Sequence, residues 1–216
     1  MFYMVAGTMI NIIMTLMAAY PLSRADMPGS GPIMMLFTFT MIFSGGMIPN
    51  YLLMKDIHIL NTVWSMLLPG AISVHNMIIT RTFIKSSIPK EMLEAAQIDG
   101  CSDAQYFFKM VLPLSGAVIA VITLYYAIGH WNAYFNAFMY LSDKELYPLQ
   151  IFLKNILVSN QVEAEMVVDA DATVEQGISE VLKYSLIVVA IVPVMIIYPF
   201  VQKHFVKGVM IGAVKG

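Results

Sequence analysis

The placement of charge constrains this chain more than any other feature. Read only for Asp, Glu, Lys and Arg, its 216 residues contain five long charge-free stretches, 1–23, 27–54, 57–80, 110–142 and 184–202. Each can hold the roughly 20 apolar residues that carry a helix across about 30 Å of hydrocarbon, so five membrane spans are expected. Composition agrees, with 59% hydrophobic and only 12% charged residues, about half the charged share of a soluble domain. The expected fold class is all-α: a polytopic membrane helical bundle forming one transmembrane domain over 1–216.

Several function classes drop out on the same counts. Twelve Lys and Arg against fourteen Asp and Glu give a net charge of −2, which offers no basic field for nucleic acid. The lone Cys101 excludes an internal disulfide framework and a Cys-rich metal or iron–sulfur site. His58, His75, His130 and His204 are too scattered for a metal motif, so no metal is expected.

The first stretch lacks the basic start and small-residue cleavage pattern of a secretory signal and reads as a span. The fourth, 110–142, would make a helix of about 50 Å; part of it must lie outside the hydrocarbon, with Pro113 marking the start of the span. Gly45-Gly46, Pro49, Pro69-Gly70, Pro193 and Pro199 weaken helix hydrogen bonding locally and are candidate kinks.

Orientation follows from the positive residues near span ends. Placing the segment between spans three and four inside puts Arg24, Arg81, Lys85, Lys90, Lys109, Lys203, Lys207 and Lys215 in the cytoplasm and leaves Lys55, Lys144, Lys154 and Lys183 outside. The C-terminus is then cytoplasmic and Met1 external, and an external start before an uncleaved span leads to an expectation of six spans in the intact protein. Residues 143–183 become the longest external loop and hold eight of the fourteen acids, including Glu163, Glu165, Asp169, Asp171, Glu175 and Glu180. Their spacing lacks the Asp-x-Asp-x-Asp-Gly order of a calcium loop, so they read as a solvated acidic surface. Ile151, Phe152, Ile156 and Leu157 recur at helical spacing, which places a helix in this loop, lying against the membrane or a partner.

The segment 86–109 carries the clearest message. Pro89 suits a helix start, Lys90 to Ile98 are mostly good helix formers, and Gly100 tolerates the left-handed conformation that ends a helix. Ser102 with Gln105 makes a capping box for a second helix. On the first helix Leu93, Ala96 and Gln97 share one side, with Glu91, Glu94 and Ile98 beside them. Ala95 and Ala96 remove bulk, so another surface can approach the backbone. The product is a small cytoplasmic knob with the character of a docking element; the same pattern also fits an interfacial linker.

Glu94-Ala95-Ala96, three residues, Gly100, nine residues, then Met110-Val111-Leu112-Pro113 resembles the EAA motif of importer-type ABC permeases, EAA-x3-G-x9-I-x-LP, with Met110 in the isoleucine place. Tyr20-Pro21-Leu22-Ser23-Arg24, Phe43-Ser44-Gly45-Gly46-Met47-Ile48-Pro49, Gly129-His130-Trp131-Asn132, Tyr147-Pro148-Leu149-Gln150 and Gln202-Lys203-His204-Phe205-Val206-Lys207-Gly208 are similar to the carbohydrate branch of that family, the MalG-like permeases with their LplC- and YtcP-type members. The likeness covers essentially the whole chain and departs at the N-terminus, where the family's first span and the external loop after it are absent.

The resemblance implies the type I ABC importer permease fold and a permease subunit that imports a sugar, oligosaccharide or polysaccharide fragment. It implies a second homologous permease subunit, an ABC ATPase dimer, an extracytoplasmic solute-binding protein, a carbohydrate substrate and membrane lipid as partners. Glu94, Ala95, Ala96, Asp99 and Gly100 become the ATPase-docking set. The chain has no G-x-x-x-x-G-K-[ST] loop, so it is not expected to be an enzyme or to hold a cofactor; ATP and Mg belong to the partner ATPase. Candidate substrate-path residues are His75, Asn76, His130, Trp131, Asn132, Tyr134 and Asn136, with Tyr140 beside them. These polar groups interrupt apolar runs and either face a cavity or serve as interfacial belt and interhelical hydrogen bonds. The rival reading, an ion-coupled secondary transporter or channel, would want an intramembrane acid or base, and none of the five stretches contains one.

Overall fold

The computed structural model describes residues 1–166 together with 181, 184, 185, 187–193, 195 and 196. Among the described residues the regular structure is entirely helical. Helix α1 (Phe2–Ser23) has 22 residues and is about 33 Å long, enough to cross a membrane. Its buried positions, Gly7, Thr8, Asn11, Thr15, Ala19 and Leu22, recur every three or four residues and so form one stripe. Val5, Met9, Ile13 and Met17 on the other side are exposed, as lipid contact demands.

The second charge-free stretch forms two helices, α2 (Ser30–Ile42) and α3 (Met47–Asp56), bent by 114°. The break falls where Gly46 takes φ +86°, a conformation that side chains disfavour. Pro49 lies in the first turn of α3, where its missing N–H costs nothing. The third stretch is broken too. A single turn, α4 (Trp64–Leu67), is followed by Gly70 at φ +73°, and α5 (Val74–Ser87) starts under Ser73, whose hydroxyl accepts from the Asn76 N–H at 3.4 Å. Helix α5 then runs beyond the stretch, through Arg81 and Lys85.

After α6 (Lys90–Ile98) the chain forms α7 (Asp103–Tyr106), a π-turn (Phe107–Val111) and α8 (Leu112–Leu114). A bend of 77° separates this arm from α9 (Gly116–Trp131). The long helix therefore begins at Gly116, past Pro113, which sits inside α8. Helix α10 (Tyr134–Tyr140) follows, then a 3-10 turn (Lys144–Leu146) and α11 (Leu149–Met166).

The first of the five expected spans is one unbroken helix, and the next three are interrupted. Among the described residues only α1 is a straight helix long and apolar enough to cross, or as many as three spans if each bent pair counts as one. Lack of charge reports compatibility with lipid; continuity is decided by backbone, and glycines and a proline-glycine pair break two of the stretches. The fifth stretch, 184–202, lies partly outside the described residues, as do Pro199 and the acids Asp169, Asp171, Glu175 and Glu180.

Helix α1 packs against both α5 and α9 and so forms the centre of the bundle. Ala19 and Leu22 cluster with Met77, and Val118, Ile122 and Tyr126 of α9 form a second cluster with Ile12, Ile79 and Phe83. Helix α11 appears where the spacing of Ile151, Phe152 and Ile156 places one. Its approach is pinned by Asn61 (φ +54°), whose N–H donates to the Tyr140 carbonyl at 2.8 Å and whose Oδ1 accepts from the Ser142 and Asp143 N–H groups.

Candidate functional site

The knob between α5 and α7 folds as local chemistry dictates. Pro89 is extended at the N-cap of α6 (φ −62°, ψ 144°), one place before the first turn. At the other end the Gly100 N–H donates to Gln97 O and the Cys101 N–H to Ala96 O, at 3.0 and 2.9 Å. This pair of bonds is a Schellman motif, with glycine at its left-handed position. Gly100 has φ +75° and nothing within 4 Å of an added Cβ, so conformation and not space selects glycine. Ser102 then caps α7: its hydroxyl accepts from Gln105 N–H at 3.3 Å, and the Gln105 side-chain oxygen accepts from Ser102 N–H at 3.2 Å, the reciprocal box expected.

The knob's two faces differ. Glu94, Ala95, Asp99 and Gly100 are exposed, and Ile98 is 88% exposed beside them. Ala96 departs from the expected outward set. It is 5% exposed and clusters with Ile84, Ile88, Tyr106 and Val111, with Met92 and Leu93 packed alongside. Its small side chain lets α6 lie close to its own chain, while Ala95 alone keeps the outward face low.

Behind the knob lies a cleft of about 230 Å³ lined by Tyr20, Arg24, Lys85, Leu93 and Glu94 among others. The Arg24 guanidinium is its hub. Nε donates to Asp26 Oδ1 at 2.8 Å, and Nη1 donates to Asp103 Oδ1 at 2.5 Å and to Tyr20 OH at 3.4 Å. The hydrogen bond from Arg24 holds the Asp26 carboxyl below its ordinary pKa. Nearby, Arg81 Nε donates to the Leu22 carbonyl at 2.8 Å, satisfying a helix-end acceptor.

Further along, a polar seam joins α1 to α9 and to the turn before α5. His130 Nε2 pairs with Asn11 Oδ1 at 2.9 Å, and Asn11 Nδ2 donates to the Gly70 carbonyl at 3.0 Å. Thr15 Oγ1 and Tyr126 OH are 2.6 Å apart, and Ser73 N–H donates to that phenol at 3.1 Å. The His130 ring rests on bare backbone, for a Cβ at Gly7 would lie 2.4 Å from Cε1 and Nε2.

The seven candidate path residues do not form one cluster. His130 is committed to Asn11, and Trp131 Nε1 donates to the Ala190 carbonyl at 3.0 Å; both act as interhelical hydrogen bonds. Tyr134 OH accepts from Lys154 Nζ at 3.4 Å, with the ammonium 4.6 Å from the ring centre. Asn76 and Tyr140 are buried, Asn136 is half-buried, and His75 and Asn132 are exposed. Sequence reasoning missed Asn11, Thr15 and Tyr126. A signal existed in Thr8, Asn11 and Thr15, polar residues on one face of an otherwise apolar helix. Arg24 meets Asp103 from 79 positions away, and no local spacing marks that pair.

The family described as "Binding-protein-dependent transport system inner membrane component" matches residues 1–211. The polygalacturonan/rhamnogalacturonan transport system permease protein YtcP of Bacillus subtilis is 43% identical over the whole of this chain and 74% of its own length. Protein LplC of the same organism is 42% identical over all of this chain and 72% of its own. Among solved structures, a bacterial ABC transporter involved in the import of the acidic polysaccharide alginate superimposes with a TM-score of 0.82 at 35% identity, covering 94% of this chain and 72% of that one. The all-α type I importer permease fold is therefore the fold of this chain. The knob lies on the EAA-like segment, the Arg24 hub on the Tyr-Pro-Leu-Ser-Arg segment, and both fall inside the matched region. The chain belongs to the binding-protein-dependent transport system inner membrane component family, the permease subunits of ABC importers.

Proposed function

We propose that this permease subunit passes fragments of an acidic polysaccharide through the membrane, and that α6 is the helix by which an ATPase subunit drives it. The observation that carries the coupling part is the two-faced knob. Glu94, Ala95, Ile98 and Asp99 face outward while Ala96 anchors the helix to Ile84, Ile88 and Tyr106. A carboxylate, a low alanine and an exposed isoleucine give a partner cleft a charge to pair and apolar surface to bury. Gly100 then returns the chain to the membrane arm. Closure of an ATPase dimer displaces α6, and the bundle responds by rigid tilting between inward-facing and outward-facing states.

The assembly comprises a second homologous permease, two ATPase subunits and an extracytoplasmic binding protein. Nucleotide and magnesium chemistry belongs to the ATPase, since this chain has no phosphate-binding glycine loop. Eight Lys and Arg fall on the knob's side of the spans against four on the other, which supports a cytoplasmic knob and C-terminus. The substrate class is supported by relatives, one named for polygalacturonan and rhamnogalacturonan and one for alginate. His75, Asn132, Asn136 and Tyr134 are the path residues left to meet sugar hydroxyls, with His130 and Trp131 holding the walls together.

Site-directed cross-linking tests the docking. In a Cys101→Ser background of the assembled transporter, Ala95→Cys, Glu94→Cys and Ile98→Cys should each cross-link to the ATPase, with yields that change when ATP is bound. No cross-link from any of the three, in a complex that retains the ATPase, would overturn the reading. Competition of labelled oligogalacturonide uptake by acidic but not neutral oligosaccharides tests the substrate class.

A further inference from the structure

Gly100 poses a mechanical problem that the coupling helix alone does not solve. With φ +75° it turns the chain between α6 and α7, and a knob joined to the arm through this single turn alone would pass little of its movement to the bundle. Something must hold the membrane arm beyond Gly100 to the helices that move. Two kinds of contact do so in this structure. One is the apolar cluster around Ala96, Tyr106 and Val111, which reaches α5 through Ile84 and Ile88. The other is Arg24.

Arg24 stands at the C-cap of α1, the helix that packs on both α5 and α9. Its side chain is only 12% exposed although it carries a full charge. It forks between Asp26, two places on, and Asp103, the first residue of α7. Asp103 is itself fixed, because α7 starts under the Ser102–Gln105 box. Tyr20 completes the seat: its hydroxyl accepts from Nη1, its ring lies 6.0 Å from the guanidinium carbon, and it packs on Phe107 of the same arm at 5.0 Å. A planar guanidinium bonded to two carboxylates fixes direction as well as distance, which an ammonium does not. From this hub α1 runs, with Pro21 in its last turn, as one continuous helix to Thr15 and Asn11, whose side chains hold Tyr126 and His130 of α9.

We infer that Arg24 is the positioning residue that couples the arm after Gly100 to α1, so that displacement of the knob becomes displacement of the α1–α9 pair. This inference rests on the ATPase-docking reading above and extends it from the docking face to the transmission into the bundle. Arg24 contacts neither partner nor sugar in this account; it acts through Asp103.

The test uses the complete transporter in proteoliposomes with its binding protein, measuring assembled complex, basal ATP hydrolysis and the stimulation by loaded binding protein. Asp103→Asn is the decisive variant, because Asp103 is 68% exposed and its loss leaves no buried charge unpaired. It should leave complex yield and basal hydrolysis intact while cutting stimulation and uptake about tenfold, within the usual span of coupling between distant sites. Arg24→Ala should do the same, Arg24→Lys should restore only part, and the exchange Arg24→Asp with Asp103→Arg should recover more stimulation than either single variant. Full stimulation in Asp103→Asn would overturn the inference, as would an Arg24→Ala complex whose losses follow reduced yield alone with an unchanged stimulation ratio. If the unsubstituted complex shows no stimulation, the docking reading itself fails, and the two failures are thereby separated.

Discussion

Replacing Gly7 by alanine tests whether the His130–Asn11 contact holds α1 to α9. The added Cβ would lie 2.4 Å from Cε1 and Nε2 of His130 and 2.8 Å from Cδ2. Carbon contacts settle at about 3.5–4.0 Å, so the ring must retreat by roughly 1 Å, which stretches its 2.9 Å bond to Asn11 Oδ1 beyond hydrogen-bond range. Overpacking of this kind costs about 1–3 kcal/mol, and an interhelical hydrogen bond in a membrane protein adds about 0.6 kcal/mol. Alanine's higher helix propensity returns up to about 1 kcal/mol. With the full return the expected net loss is about 0.6–2.6 kcal/mol, read as a fall of about 1–10 °C in the apparent melting midpoint of the detergent-purified transporter. Gly129→Ala is the control, since it lies on the same helix as His130 and meets nothing within 4 Å; it should be neutral or mildly stabilising. In the double variant Gly7→Ala with His130→Ala the clash partner is gone, so the two losses should not add. A Gly7→Ala protein as stable as Gly129→Ala would refute the claim that this ring packs on the α1 backbone.

Three further outcomes are expected. Glu94→Arg reverses an exposed charge on α6 and should weaken ATPase co-purification while leaving the fold intact, checked by pull-down and by circular dichroism. Gly100→Val places a β-branched residue at φ +75°, a strain of roughly 1–3 kcal/mol, and should leave ATP hydrolysis that no longer responds to loaded binding protein. Ala96→Leu overfills the inward face of α6 and should lower stability by about 1–3 kcal/mol, whereas Ala95→Leu should spare stability and impair only ATPase association; melting curves and pull-downs separate the pair.

Sequence patterns made local features legible where their causes were local. The bounds of α6, the left-handed Gly100 and the Ser102–Gln105 box all follow from residues within a few positions of one another, and the structure repeats them. The EAA-like spacing identified the family because it is a fixed pattern. The breaks in 27–54 and 57–80 fall at Gly46 and Gly70, both among the kink positions read from the sequence, but the size of the turn, 114° at Gly46, depends on a positive φ that composition does not fix. The facing of Ala95 and Ala96 also escaped, since two adjacent alanines look alike until α5 and Tyr106 are placed beside one of them. Arg24–Asp103, His130–Asn11 and Thr15–Tyr126 join residues 79 to 119 positions apart. Pairings at such separations are fixed by tertiary packing and leave no mark in local spacing.

If α6 drives this bundle, its movement depends on ATP hydrolysis in a partner. Simultaneous measurement of labelled oligogalacturonide uptake and ATP hydrolysis, in proteoliposomes holding the complete transporter, tests it most directly. Uptake should require ATP and loaded binding protein and should collapse in Gly100→Val while hydrolysis persists. Uptake that continues without the ATPase subunits and follows an imposed proton or sodium gradient would contradict it.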